Sequence, residues 1–153
     1  MTLEITSIIN SICFKHPELA SSILSEINLA ETDSSIYLND DGEYKFGRFM
    51  EIDDMAEVKF FLGIDRLLDE GLLSEIDWKS DLADVEYCIN LMFKLNNIED
   101  VSVEIPEDWD EELSERSFAD INENLLNNTP YQILLIDIDS DSYVFGIELN
   151  TLK

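Results

Sequence analysis

The chain has 153 residues, of which 35 are acidic and nine are basic, so its formal net charge is −26 at neutral pH. Apolar residues make up 45% and aromatic residues 10% of the sequence, which is too much apolar material for a disordered acidic tail. The charge therefore belongs to the surface of a folded protein. Nucleic acids and anionic membranes are poor partners for such a surface.

The length is typical of one domain, and we predict a single domain over residues 1–153. No window approaches the roughly 20 apolar residues that span a bilayer. The first residues carry no basic segment before their apolar stretch, as a signal peptide would. We therefore expect a cytoplasmic protein. Cys13 and Cys88 each lie within an apolar helical pattern, which predicts reduced and buried thiols.

The first half of the chain begins with apolar residues at helical spacing from Leu3 to Ile12, and a second helix starts at Pro17. These predict a helical hairpin. Apolar segments at 36–38 and 44–52 flank the turn residues Asn39-Asp40-Asp41-Gly42 and predict a β-hairpin. A third helix, capped by Asp53 or Asp54, is predicted to end at Gly71.

The second half of the chain mixes both periodicities. The predicted elements are an extended segment at 72–78, a helix from Ser80 or Asp81 to Asn96-Asn97, a strand at 101–105, a helix at 117–127, and a hairpin of 131–138 with 142–149. The whole order predicts an α+β fold: a mostly antiparallel sheet, made from two hairpins and a short strand, covered by about five helices.

Catalytic motifs are scarce. The only histidine, His16, lies three residues after Cys13, so the two could share a helix face, but no third orienting group can be identified. Only three Cys and His residues exist, too few for a structural zinc site, and the glycines form no phosphate-binding loop. We predict no enzymatic activity and no cofactor, with a small enzyme or metal-binding protein as an alternative.

One pattern resembles a calcium-binding loop. Asp137, Asp139 and Asp141 alternate, and Glu148 follows Asp137 by eleven residues, as in an EF-hand. Ser142 occupies the position where that loop needs glycine, and the preceding segment has the pattern of a strand. We therefore predict that these aspartates serve a hairpin turn and hold no metal.

The highest charge density lies in residues 99–115, the acidic segment, which contains nine acids and no Lys or Arg. Trp109 lies within it, and a partly exposed tryptophan among carboxylates has the composition of a binding hot spot for a basic protein. The alternative is that Trp109 packs on the core while the acids are only solvated. The predicted partner-binding residues are Glu107, Asp108, Trp109, Asp110, Glu111, Glu112 and Glu115.

In size and charge the chain resembles acidic immunity proteins of bacterial toxin systems, including contact-dependent inhibition. That resemblance implies a protein that binds and neutralises a basic toxin, such as a nuclease. A DNA-mimic inhibitor is the alternative. More locally, LLDEGLLSEIDWKSDLADVEYCINLMF and IDIDSDSYVFGI resemble a group of small bacterial proteins of uncharacterised function, which implies a bacterial origin and no mechanism.

Overall fold

The computed structural model describes residues 4–45, 54–109, 112–138 and 140–150. The chain divides into two compact units, Met1–Asp69 and Glu70–Lys153, which are described in turn. The described residues form five α-helices and one three-stranded antiparallel sheet, so the predicted α+β class is confirmed. The single domain over residues 1–153 stays a prediction.

The first unit contains helices α1 (Ile5–Ile12), α2 (Pro17–Leu29) and α3 (Met55–Asp69), and each contacts the other two. Pro17 is the first residue of α2, as predicted, because its missing N–H is not needed there. A methyl group at Gly63 would collide with Ile5, so this glycine allows α1 and α3 to approach closely. The buried apolar side chains include Ile8, Ile9, Ile12, Ile23, Ile27, Leu62, Ile64 and Leu67.

The first predicted hairpin forms only next to its turn, where the Asn39 N–H donates to the Glu43 carbonyl at 2.7 Å and the Lys45 N–H to the Tyr37 carbonyl at 3.0 Å; its first strand does not include Ile36. Ser34–Ile36 forms a 3-10 turn, because the Asp33 carboxylate accepts hydrogen bonds from both the N–H and the hydroxyl of Ser35. Leu38 and Tyr44 form a single bridge around the predicted turn. The predicted strand residues after 45 lie outside the described residues.

The second unit contains strands β1 (Leu73–Asp77), β2 (Tyr131–Ile136) and β3 (Ser142–Leu149), in the order β1-β3-β2. The hairpin of β2 with β3 confirms the second predicted hairpin. The segment predicted only as extended is the edge strand β1, which pairs antiparallel with β3 from Leu73 opposite Gly146 to Asp77 opposite Ser142.

Helices α4 (Leu82–Leu95) and α5 (Glu115–Asn124) lie on one face of this sheet. The ring centroid of Phe118 in α5 lies 5.0 Å from that of Phe145. The ring centroid of Phe93 in α4 lies 5.6 Å from that of Tyr131. Asp81 caps α4, as predicted, by accepting the N–H of Asp84 at 3.0 Å. The last helix covers residues 115–124 instead of the predicted 117–127, because Ser114 caps it.

The predicted strand at 101–105 is wrong. A side chain of α4 takes the place of a neighbouring strand: the Asn90 amide donates to the Val103 carbonyl at 2.9 Å, and its oxygen accepts the Val103 N–H at 2.7 Å. An asparagine amide carries both a donor and an acceptor, so one side chain can satisfy both backbone groups of a residue. Residues 101–105 are therefore extended without belonging to the sheet.

A second asparagine binds the backbone in the same way. Asn122 of α5 accepts the Ile133 N–H at 2.7 Å and donates to the Ile133 carbonyl at 3.0 Å. Ile133 lies in β2, an edge strand of the three-stranded order. Asn122 thus satisfies backbone groups that an edge strand otherwise leaves unpaired.

Replacing Asn90 with alanine should lower the free energy of unfolding by about 1–3 kcal/mol, because it leaves the N–H and carbonyl of Val103 without their partner. Urea denaturation followed by far-UV circular dichroism measures this change. Asn124→Ala, at an exposed position of α5, is the control and should stay within about 0.5 kcal/mol of the parent. Equal losses in the two variants would contradict the role of Asn90.

Candidate binding site at the acidic loop

The acidic loop, residues 106–114, is held at its first end by α4. The Glu86 carboxylate accepts the N–H of Ile105 at 2.6 Å. Glu86 lies one turn of α4 before Asn90, which binds the backbone of Val103. A hydrogen bond from a backbone N–H to a charged carboxylate is stronger than one between neutral groups. The chain therefore enters the loop from a fixed position.

At its other end the loop runs into the capped start of α5. Leu113 is buried, and Ser114 and Ser117 form a reciprocal capping box in which the Ser114 N–H donates to the Ser117 hydroxyl at 3.1 Å. Such a box satisfies backbone N–H groups that a helix start otherwise exposes. Both ends of the acidic loop are thus anchored on helices of the second unit.

A groove of about 420 Å³ lies between the loop and the two helices. Its volume is within the range of roughly 300–1,000 Å³ that holds small ligands. Trp109 lies partly buried in the wall of the groove, and its backbone N–H donates to the Pro106 carbonyl at 3.2 Å. The lining includes Leu82, Trp109, Glu112, Arg116, Asp120 and Asn124, with the two serines of the capping box.

Arg116 is the cation of this groove. Its Nε lies 2.8 Å from Asp120 Oδ1, and one terminal nitrogen lies 2.9 Å from Glu123 Oε2. The guanidinium thus bridges two carboxylates on its own helix, while its side chain is 66% exposed. In sequence, Arg116 is the only Lys or Arg between Lys94 and Lys153.

A family model described as "Domain of unknown function (DUF6630)" matches residues 3–149. The chain belongs to this family. No curated protein and no solved structure matches the chain. That description assigns the family no function.

The predicted binding residues divide into three groups. Trp109 and Glu112 line the groove. Glu107, Asp108 and Glu115 are exposed, the last as the first residue of α5, whereas Asp110 and Glu111 lie outside the described residues. Sequence reasoning missed Arg116, Asp120 and Asn124, because the predicted helix began at 117 and left Arg116 outside it; on the observed helix their spacing of four places them on one face.

The two segments with the local resemblance meet at one end of the sheet. The Trp78 N–H donates to the Asp141 carbonyl at 3.1 Å, and Asp77 Oδ1 accepts the N–H of Lys79 at 2.8 Å. Trp78 is half exposed, with the Lys79 amine 5.3 Å from its ring. These bonds account for Asp77, Trp78, Lys79 and Asp141 as turn structure.

Both cysteines are free thiols. Cys13 is buried, as predicted. The backbone N–H of His16 donates to the backbone carbonyl of Cys13 at 2.8 Å. Cys88 is only partly buried, but its burial raises the pKa of the thiol, while a hydrogen bond with Ser74 acts in the opposite direction. A raised pKa keeps the thiol protonated and a poor nucleophile.

The described residues contain no group of three or more His, Cys, Asp or Glu side chains placed to hold a metal ion. Within the same ranges, no helix has the length and apolar content needed to cross a membrane. Glu148, the last residue of the EF-hand-like pattern, lies in β3, where its carboxylate accepts from the Gln132 amide at 3.1 Å. It therefore stands in the sheet, and Asp139 lies outside the described residues.

We expect no calcium site of micromolar affinity. Isothermal titration with calcium chloride should give no saturable heat in that range, and Asp141→Asn should leave the thermogram unchanged. The reason is that Glu148, which matches the position of the bidentate ligand in an EF-hand, accepts a hydrogen bond from Gln132 of the neighbouring strand. A micromolar site abolished by the Asp141 change would overturn the interpretation of these aspartates as turn residues.

Burial raises the pKa of Glu148 above its ordinary value of 4.5, and the Gln132 bond only partly opposes this. Its contribution to stability is therefore full below pH 4.5 and is lost as the pH rises through the folded-state value. Glu148→Gln should be more stable than the parent at pH 7, and the difference should shrink towards pH 4. Urea denaturation across this range measures it, with Glu104→Gln, at an exposed position, as a control that should show a smaller change.

Proposed function

We propose that this protein binds a basic protein partner through the acidic loop and its groove, and that the partner is a bacterial toxin which it neutralises. The observation that supports this proposal is the anchored acidic loop. Residues 99–115 contain nine acids and no Lys or Arg. Hydrogen bonds from α4 hold the chain just before the acidic loop, and the loop ends in the capping box of α5.

Anchoring matters because a segment whose two ends are already held in place loses less conformational entropy when a partner binds. The exposed carboxylates of Glu107 and Asp108 are available for long-range attraction of a cationic surface. Trp109, partly buried beside them, provides a rigid aromatic side chain of the kind that dominates interface energies. The loop thus combines the two components of a binding site for a basic protein.

Inhibition of a basic protein is the function that fits exposed carboxylates beside a partly buried tryptophan. A nuclease binds phosphates with a basic surface, and an acidic protein that covers that surface blocks the substrate while gaining a fast, electrostatically steered association. The net charge of −26 suits such an inhibitor and opposes binding to nucleic acid itself. A resident cofactor has no part in this mechanism.

The first test uses the protein encoded beside this one, as a candidate toxin. Co-expression of this protein should restore growth to cells that produce that toxin's C-terminal domain, and the two purified proteins should form a complex. A complex with a DNA-binding enzyme and no protection from the toxin would favour the DNA-mimic alternative.

The second test neutralises the loop. Changing Glu107, Asp108 and Glu112 together to their amides should slow association with the toxin at least about tenfold at low salt and flatten its salt dependence, because loop charges act during the encounter. Stopped-flow kinetics at several salt concentrations measure the association rate constant.

The matched control changes Asp40, Asp41 and Glu43 to amides, which removes the same charge from the exposed turn of the first unit. It should alter association less than about twofold. If the control slows binding as much as the loop variant does, net charge alone drives association. The exposed ridge of Tyr87, Leu91 and Leu95 on α4 would then be the next surface to test.

A further inference from the structure

We infer that the groove beneath the acidic loop binds an arginine side chain of the basic partner, and that Arg116 occupies the carboxylates of this groove until the partner's arginine displaces it. This inference rests on the proposed function and specifies the chemistry of its site. The observation behind it is that Arg116, which lines the groove, already holds its guanidinium against Asp120 of the groove lining and against Glu123 beside it on α5.

The composition of the groove matches an arginine side chain part by part. Leu82 and Trp109 offer apolar and aromatic surface to the stem and to the flat face of a guanidinium, whereas Glu112 and Asp120 offer acceptors to its N–H groups. Arginine presents five donors in a planar fork, which a pair of carboxylates can satisfy better than they satisfy a lysine ammonium. The groove therefore favours arginine over lysine.

Arg116 is held in a way that permits exchange. Its side chain is 66% exposed, that of Glu123 is 58% exposed, and that of Asp120 is 34% exposed. Ion pairs between exposed side chains contribute little to stability, so a second guanidinium can compete for the same carboxylates. Arg116 can swing into solvent without disturbing the helix, because both contacts are ion pairs between side chains.

This arrangement gives Arg116 a definite role. In the free protein it reduces the repulsion between Asp120 and Glu123. The nearest other basic residues in the sequence are Lys94 and Lys153. On binding, Arg116 is replaced by a residue of the partner that makes the same contacts. Arg116 therefore competes with the partner and weakens binding to the groove.

The test uses two short peptides of the same sequence, one with arginine and one with its uncharged analogue citrulline, and the full-length protein carrying Trp78→Phe. Trp109 is then the sole tryptophan, and its fluorescence reports the groove. The arginine peptide should change this fluorescence saturably, and the citrulline peptide should bind at least about tenfold more weakly. Equal affinities of the two peptides would overturn the inference.

Substitutions then distinguish displacement from general attraction. Arg116→Gln should bind the arginine peptide about three- to tenfold more tightly, because the competing guanidinium is gone, and Asp120→Asn should bind it at least about fivefold more weakly. The matched control is Arg66→Gln, which removes the same charge from an ion pair with Glu26 in the first unit and should change affinity less than twofold. If Arg66→Gln tightens binding as much as Arg116→Gln, or Arg116→Gln does not tighten it, Arg116 is not a competitor.

Failure of this inference can be told apart from failure of the proposed function. A protein that protects cells from the toxin, and whose Arg116→Gln and Asp120→Asn variants bind the peptide and the toxin unchanged, keeps the function and loses the groove as its arginine site. Conversely, a groove that binds the arginine peptide with the expected pattern, in a protein that binds no toxin, keeps the site and loses the function. Circular dichroism of each variant confirms that it is folded before its affinity is compared.

Discussion

The second unit depends on one interaction, the pairing of an asparagine side chain with both backbone groups of a residue in an extended segment. Asn90 makes this pair with Val103 and Asn122 makes it with Ile133. Each pair ties a helix to a segment that has no neighbouring strand on that side among the described residues. Since buried backbone groups must be satisfied, these two side chains replace the hydrogen bonds that a wider sheet would have supplied.

This constraint determines where the acidic loop lies. The Asn90 pair and the Glu86 bond hold the chain up to Ile105, and the capping box restarts it as a helix at Glu115. A segment with this density of carboxylates repels itself and would extend into solvent if its ends were loose. With both ends bonded to helices, Trp109 and Glu112 of the loop lie in the wall of the groove.

The two units differ in how their basic side chains pair with acids. In the first unit, Arg66 pairs with Glu26 and Lys59 with Glu31, so basic side chains of α3 each meet an acid of the preceding segment. In the second unit, Arg116 pairs with both Asp120 and Glu123 of its own helix. Carboxylates therefore outnumber basic side chains in the lining of the groove, where Trp109 also lies.

The sequence by itself determined the elements whose signals are local. Helical spacing, the caps at Asp54 and Asp81, Pro17 and the turns placed five helices and the last hairpin, because each depends on neighbours within a few residues. Only the tertiary structure decided that residues 73–77 pair with β3 and that 101–105 stay outside the sheet. Alternating polarity shows that a segment is extended but not whether a strand or an asparagine satisfies its backbone. Likewise, composition marked Trp109 and its acids, whereas the approach of α5 to the loop brought Arg116 and Asp120 into the same groove.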